Sequence, residues 1–436
     1  MNTTEILNRL NIANLNEMQE KTISSMAGNK ELILLAPTGS GKTIAFLIPL
    51  IESLDTDIKT LQALILVPSR ELALQIETVL KKIQPGFKIV SCYGGHKREI
   101  EENNLTQTPA IIIGTAGRMA DHIRRLNVDV SKAKFLVLDE FDKSLELGFV
   151  EEMKFIIGNM SSVEYRMLTS ATNALEIPDF VSMKSPATLS FTNPDSTKDD
   201  LRIYTVLSDD KDKLETLFRL LCYTGNTSSI VFCNHRDAVE RTSNYLNEQG
   251  INNVFYHGGM EQIDRETALV KFRNTTADVL VTTDLASRGL DIADIRNIIH
   301  YHLPNDEAAF THRNGRTARM QTTGNVYVVY SEDEKLPFYV TEHASAFDIP
   351  AQVELPAKPK WSTLFIAAGK KDKINKMDIV GFLTQRGRLK SDEIGLIEVK
   401  DFTAFVAVRK SKLGPAIELI KNEKIKNKKV KIAVAR

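Results

Sequence analysis

Eight consecutive residues near the start of the chain, Ala36, Pro37, Thr38, Gly39, Ser40, Gly41, Lys42 and Thr43, carry the groups needed to hold a polyphosphate. Gly39 and Gly41 let backbone N–H groups close around phosphate oxygens. Lys42 supplies a point charge for β- and γ-phosphates, and the Thr43 hydroxyl can ligate Mg²⁺. An apolar run, ELILLA, precedes this segment and a helical pattern, IAFLIPLIESL, follows it. The loop therefore joins a strand to a helix N-terminus, where backbone donors and the helix dipole favour an anion. A glycine-rich turn that binds nothing would have no packing use for Lys42 and Thr43. The first position is Ala36 where this loop type carries glycine.

Two further groups complete a phosphoryl-transfer set. Asp139 and Glu140 end the apolar run FLVLDE and so project at the carboxyl edge of a sheet, beside the loop. Asp139 is suited to hold Mg²⁺ through water, and Glu140 to orient and deprotonate an attacking water. The transition state also needs positive charge on the γ-phosphate. HRNGRTAR at 312–319 supplies it, with Arg313, Arg316 and Arg319 spaced by three, which predicts one face of a helix. Taken alone, that run could equally be a solvated basic face. The cofactors expected from these residues are ATP and Mg²⁺.

Strands must position these groups, and the pattern for them is repeated. ELILLA, ALILVP, AIIIGT, FLVLDE and RMLTSA form one series, and SIVFCN, NVFYH, DVLVTTD, NIIHYHLP and GNVYVVYS a second. Runs without in/out alternation are what parallel strands covered on both faces require. The polar FTNPDSTKDD separates the series, and VELPAKPK, with two prolines, follows the second. The reading is α/β, with parallel-sheet domains over residues 1–200 and 201–352, a linker over 353–360 and a small α+β domain over 361–436. A ligand site is expected in the cleft between the two large domains.

Charge is partitioned along the chain. The 56 basic and 56 acidic residues balance, yet from residue 355 onward there are 20 Lys and Arg against 8 Asp and Glu. Such a tail seeks a polyanion. Cys92, Cys222 and Cys233 have no C-x-x-C spacing, which argues against a zinc site or a disulfide framework. The opening MNTTEILNRL lacks a basic and apolar leader, and no run approaches the roughly 18 apolar residues of a membrane span. A cytoplasmic, monomeric protein without membrane partners is expected.

With these elements in place, the remaining segments resemble the DEAD-box RNA helicase family, in the family's order and across both large domains. Gln19 in LNEMQ resembles the adenine-reading glutamine, APTGSGKT motif I, PSRELA motif Ia, YGG the glycine doublet, and TAGR motif Ib. DEFD is similar to motif II and SAT to motif III. In the second domain VFCN resembles motif IV, HGGMEQIDR the Q-x-x-R element, TTDLASRGLDI motif V, and HRNGRTAR motif VI. The resemblance implies two RecA-like domains. It also implies that Gln19 reads adenine, Asp291 meets the ribose, Arg316 and Arg319 reach the γ-phosphate, and Ser170, Thr172 and His312 couple hydrolysis to domain closure. RNA would lie against Pro68, Arg70, Gly94, Gly95, Thr115, Gly117 and Arg118 in one domain, and Gly258, Gln262, Arg265 and Thr282 in the other. Glycines, a hydroxyl and arginines suit a sugar-phosphate backbone and carry no base readout.

The chain departs from the family pattern in places. Phe141 replaces a small residue between Glu140 and Asp142, which is expected to alter their coupling to motif III. Glu17 and Met18 stand where the family has a Pro-Ile pair, and no aromatic residue precedes Gln19 where one is common.

Residues 361–436 alternate as a βαββαβ, RRM-like domain. LFIAAG matches half of an RNP2 strand, and DFTAFVAV is a sparse RNP1 with Phe405 as its one stacking aromatic. The runs AAGKKDKINKMDIVGFL and FVAVRKS resemble the tail of the bacterial DbpA helicases, which implies binding to a hairpin of 23S ribosomal RNA in large-subunit assembly. Lys370, Lys371, Lys373, Lys376, Arg386, Arg388, Arg409, Lys410 and Lys412 are the candidate contacts. The function expected is an RNA-dependent ATPase that unwinds short RNA duplexes. An ATP-driven RNA clamp or chaperone is the alternative, resting on Phe141. A DNA translocase is opposed by Gln19 and by the tail.

Overall fold

The computed structural model describes every residue except 38, 96, 172–176, 192–200, 288–294, 318–322, 427 and 436. The chain forms two compact units, the first spanning Met1–Asp199 and the second taking in Asp200–Ser287 and the chain from Ile292 onward.

In the first unit, seven strands are found among the described residues: β1 (Glu31–Leu35), β2 (Ala63–Val67), β3 (Ile89–Cys92), β4 (Ile111–Thr115), β5 (Phe135–Leu138), β6 (Tyr165–Ser170) and β7 (Ala187–Ser190). They pair in parallel in the order β3-β4-β2-β5-β6-β1-β7. Every residue of β2 and β5 is buried, as strands covered by helices on both faces must be. Register then does the positioning. Leu35 pairs with Ser170, and Leu66 with Leu138, so the polyphosphate loop, Ser170 and the acids after Leu138 leave the sheet at one edge.

The second unit repeats this plan with β8 (Leu201–Ser208), β9 (Ser229–Phe232), β10 (Asn253–Tyr256), β11 (Val279–Thr282), β12 (Asn297–His300), β13 (Gly324–Ser331) and β14 (Ala344–Ala346). Their order is β10-β11-β9-β12-β13-β8-β14, again parallel. The strand runs of the sequence miss β3, β7, β8 and β14. All four keep exposed or half-exposed residues along their length and therefore lack a continuous apolar run.

The tail has its own antiparallel sheet: β15 (Trp361–Ile366), β16 (Ile394–Val399), β17 (Ala404–Arg409) and, after the short hairpin β18 (Lys424–Ile425) and β19 (Lys428–Lys429), β20 (Ile432–Val434). The order β16-β17-β15-β20 is that of an RRM-like sheet, and a separate core including Leu364, Ile379, Leu383, Val406 and Ile420 lies under it. The fold is thus two RecA-like parallel sheets plus a small α+β domain.

Candidate active site

In the first unit the polyphosphate loop is closed by glycine geometry. Gly39 and Gly41 have φ of +84° and +91°, the left-handed region that disfavours side chains. At Gly41 a Cβ would also lie 2.5 Å from Gln19 Nε2. That closeness links Gln19 to the loop. Its Nε2 donates to the Gly41 carbonyl at 3.3 Å, its Oε1 accepts the Asn16 N–H at 3.0 Å, and Asn16 Nδ2 donates to the Ser40 carbonyl at 3.0 Å. Asn16 and Gln19 form the capping box of the helix Glu17–Gly28. An amide has two lone pairs and two N–H bonds, so one of each remains for a base edge.

Lys42 begins the helix Lys42–Ser53 and is buried, its ammonium donating to the carbonyls of Ala36 and Pro37 at 2.6 and 3.2 Å. The Ala36 N–H in turn donates to the Ser170 carbonyl at 3.0 Å, tying the loop to motif III. Asp139 is buried and receives the Thr169 hydroxyl at 2.5 Å; the Glu140 N–H donates to that same hydroxyl at 3.1 Å. Burial pushes the Asp139 carboxyl above its usual range, and the Thr169 hydrogen bond and the Lys42 charge pull the other way. Glu140 sits at φ +48°, a left-handed turn that starts the helix Phe141–Glu146. Thr169 was not singled out by sequence. Strand alternation next to a short SAT carries no signal for a hydroxyl bonded 30 positions back.

Phe141, expected to alter the coupling of Glu140 and Asp142 to motif III, opens the helix that follows Glu140. Its ring is fully buried in the hydrophobic cluster that contains Leu138, Met153 and Ile156, so it contributes packing beside the acids.

In the second unit the expected single helix face of three arginines is not formed. The helix Glu307–Asn314 ends at Gly315, a poor helix former, so Arg313 and Arg316 do not share one helix. Arg313 is fully buried and bidentate to Asp284, with Nε to Oδ1 at 2.5 Å and Nη2 to Oδ2 at 3.1 Å. It also donates to Asn234 Oδ1 at 2.8 Å and to the His302 carbonyl at 3.0 Å. Motifs IV, V and VI are thus bound together by one guanidinium, and Asn234 and Asp284 are site-organising residues that the sequence reading passed over. His312 and Arg316 are buried. Thr38, Thr172, Asp291 and Arg319 lie outside the described residues.

Comparison with known proteins matches three consecutive families: the DEAD/DEAH box helicases over residues 16–180, the helicase conserved C-terminal domain over 212–321, and the DbpA RNA binding domain over 363–434. The ATP-dependent RNA helicase DbpA of Escherichia coli is 31% identical over 98% of this chain and 95% of its own length. The chain belongs to the DEAD-box ATP-dependent RNA helicases. DbpA of Bacillus subtilis is 29% identical over 95% of this helicase and 94% of its own length. Among solved structures, Mss116p bound to single-stranded RNA and AMP-PNP is similar with a TM-score of 0.65 at 25% identity, covering 76% of this chain and 72% of that one. Yeast Dbp5 bound to RNA and ADP BeF3 shares the fold at a TM-score of 0.67 and 24% identity, over 76% and 88% of the two chains.

Of the helicase's expected RNA contacts in the first unit, Arg70, Gly95 and Arg118 are brought together. Arg70 lies over the Tyr93 ring at 4.9 Å and donates to the Gly95 carbonyl at 3.3 Å, and Arg118 Nε donates to the Tyr93 carbonyl at 3.2 Å. Gly95 has φ of +91°, and Gly94 and Gly117 have open space where a Cβ would stand. Pro68 is buried at the strand end, and Thr115 starts the helix Ala116–Arg124. In the second unit Gln262 and Arg265 share the first turn of the helix Gln262–Arg273, joined at 2.6 Å, and Gly258 is exposed in the turn before it. Thr282 is not at the surface: its hydroxyl is buried and donates to the Tyr256 carbonyl at 2.7 Å.

The tail corrects the RNP reading. Phe405, the expected stacking aromatic, is 0% exposed and packs with Val270 and Ala435. Around it, Arg273 makes a bidentate pair with Glu398 at 2.7 and 2.8 Å, and Asn274 Nδ2 donates to Thr363 at 2.9 Å. The sheet face available to RNA in an RRM is here the face docked on the end of the helix Gln262–Arg273. Asn226 holds the linker by both groups of the Ala357 peptide, at 2.6 and 2.9 Å. The basic candidates divide accordingly. Lys370, Lys371 and Lys373 are exposed beside the turn after β16, where the N–H groups of Lys370 and Lys371 donate to the Lys400 and Asp401 carbonyls. Arg409, stacked on Trp361 at 4.5 Å, and Lys410 lie at the other end of β17, by the linker. Arg386, Arg388, Lys376 and Lys412 are exposed, with Arg386 facing Glu423 at 3.6 Å and Lys412 facing Glu393 at 3.3 Å.

Proposed function

We propose that this helicase is a monomeric cytoplasmic enzyme that binds ATP with Mg²⁺, is stimulated by RNA and separates short duplexes in 23S ribosomal RNA during large-subunit assembly. The observation that carries the target is the tail: a DbpA RNA binding domain spans residues 363–434, in a region with 20 basic against 8 acidic residues from residue 355 onward. Phosphate contacts of that kind anchor a core whose own RNA residues carry no base readout.

Asp139 and Thr43 would hold Mg²⁺; a desolvated carboxylate beside Lys42 is the oxygen donor that a divalent cation satisfies. The ion would neutralise charge on the phosphates as the bond to the γ-phosphorus breaks. Glu140 takes the proton of the attacking water, Lys42 fixes the β- and γ-phosphates, and Gln19 reads adenine while holding the Gly41 peptide. Arg316 and Arg319 supply transition-state charge from the second domain, with Asp291 on the ribose. Because the groups are divided between two folded units, turnover requires the units to approach, and RNA bound to both favours that approach.

The test is ATP hydrolysis by the full chain with a 23S fragment carrying the peptidyl-transferase hairpin, with poly(A) and with single-stranded DNA. Lys370, Lys371 and Lys373 are either intact or reversed to Glu. Deleting the tail is a poorer test because it would bare Val270 and Asn274. Stimulation by the hairpin fragment above poly(A), lost in the charge-reversed protein, is the expected result. Equal stimulation by every RNA in both proteins would remove the ribosomal target and leave a general RNA helicase.

A further inference from the structure

Beneath Tyr93, Arg70 and Arg118 lies a buried polar chain that the ATP site does not use. Glu101, 1% exposed on the helix Arg98–Leu105, and His122, 0% exposed on the helix Ala116–Arg124, meet with Oε2 and Nε2 at 2.6 Å. Asn127 Nδ2 donates to His122 Nδ1 at 3.1 Å, so the network places the ring proton on Nε2, where it points at Glu101. The carboxylate is then fully engaged. Its Oε1 accepts the Tyr93 N–H at 2.8 Å, and its Oε2 also meets Arg118 Nε at 3.3 Å. Arg118 closes the ring by donating to the Tyr93 carbonyl, and the Tyr93 aromatic ring carries Arg70.

An ionisable carboxylate buried this deeply is costly, and for stability alone a wholly apolar replacement of the carboxylate and its partners is often as good. What Glu101 holds is specific: both groups of the Tyr93 peptide, one directly and one through Arg118, at the start of the turn bearing Gly94 and Gly95. We propose that Glu101, oriented by His122, is the positioning residue of the first domain's RNA surface, presetting Arg118 and the Tyr93–Gly95 turn to receive a ribose-phosphate backbone. This rests on the reading that RNA binds there. Preorganisation of this kind lowers the ordering cost of binding and shows in affinity rather than in the chemical step.

With Cys92 beside them, Glu101 and His122 also place ligand atoms within 4.8 Å of one another, which is the spacing of a metal site. Both Glu101 oxygens already accept hydrogen bonds, and burial pushes the Cys92 thiol far up, away from the thiolate a metal takes. The geometry therefore favours the hydrogen-bonded clamp.

The experiment is the dependence of ATP hydrolysis by the full chain on poly(U) concentration, for Glu101→Gln, His122→Gln, Arg118→Ala and Glu101→Gln combined with Arg118→Ala. Losing a charge-assisted hydrogen bond is worth about tenfold. Glu101→Gln is therefore expected to raise half-saturating RNA about tenfold, with kcat at saturating RNA and KM for ATP unchanged, and His122→Gln to shift it the same way by less. In the Arg118→Ala background Glu101→Gln should add nothing. If Arg118→Ala alone leaves half-saturating RNA unchanged, the RNA reading of this face fails and takes the inference with it. An effect of Arg118→Ala with none of Glu101→Gln, or two effects that multiply, overturns the positioning role alone. Stoichiometric zinc in the purified protein that Glu101→Gln removes overturns it in favour of a metal site.

Discussion

The two parallel-sheet domains share a plan yet use their buried charges differently. In the first, Lys42 is held by backbone carbonyls and Asp139 by a threonine hydroxyl. In the second, Arg313 is held by the opposite charge of Asp284 and by Asn234. Lys42 and Asp139 also feel each other's charge, yet these hydrogen bonds on each come from neutral dipoles, which leave more of the field for a ligand than a bidentate pair with the opposite charge does. Burial alone does not separate the two cases, since Lys42, Asp139 and Arg313 are all buried. The partner does.

The largest effect that sharpens this contrast is on turnover. Glu140→Gln preserves shape and removes the base, so ATP hydrolysis at saturating RNA should fall at least about 100-fold, while nucleotide binding and thermal stability stay close to the parent. Fluorescent-nucleotide titration beside steady-state hydrolysis checks it. Normal turnover in that variant would deny the first domain its catalytic base.

Arg313→Met reverses the signature. It strands Asp284 and strips donors from Asn234 and the His302 carbonyl, and Asp284 retains some exposure, so the expected cost is at the low end of a broken buried pair, about 3 kcal/mol of the second unit's stability. Urea unfolding followed by hydrogen exchange in β9 and β12 locates the loss. Adding Asp284→Asn should return part of it. A stable Arg313→Met protein that merely turns over slowly would show that Arg313 serves the ligand, and the contrast between the domains would collapse.

The core strands were legible because a parallel strand buried on both faces has no polar positions; β2 and β5 are read directly as ALILV and FLVL. The four strands that the sequence concealed all carry half-exposed or exposed residues that break the apolar run. The polyphosphate loop was legible because its chemistry is local, eight residues in a row. The Arg313–Asp284 pair spans 29 positions and Glu101–His122 spans 21, and neither distance corresponds to a period that a sequence displays. Phe405 misled for a related reason: an aromatic on an RRM strand looks the same whether it faces a base or Val270.

Acid sensitivity gives the finest test of the difference between the domains. Beside Arg313, burial and then the guanidinium charge push His300 down to about 3, against its hydrogen bond to Asn314 and the Asp284 charge. Burial and then the Lys213 charge push His302 down to about 4. Both imidazoles are therefore neutral in the fold, while in the unfolded chain they take protons below about 6.5. The unfolded state binds the extra protons, so stability is complete above about pH 6.5 and is lost as the pH falls toward the folded values. At pH 5 the buried His300 should cost about 2 kcal/mol, with less from the more exposed His302. Asp278, pushed up by burial, contributes with the opposite sign. Hydrogen exchange of β12 at pH 6.5 and 5.0, corrected for intrinsic rates, should show this loss, and His300→Asn should remove most of it. Because this window lies above the ordinary carboxylate range, an equal loss in the parent and in His300→Asn would mean that the Arg313 cluster is not the dry, self-compensated site its hydrogen bonds describe.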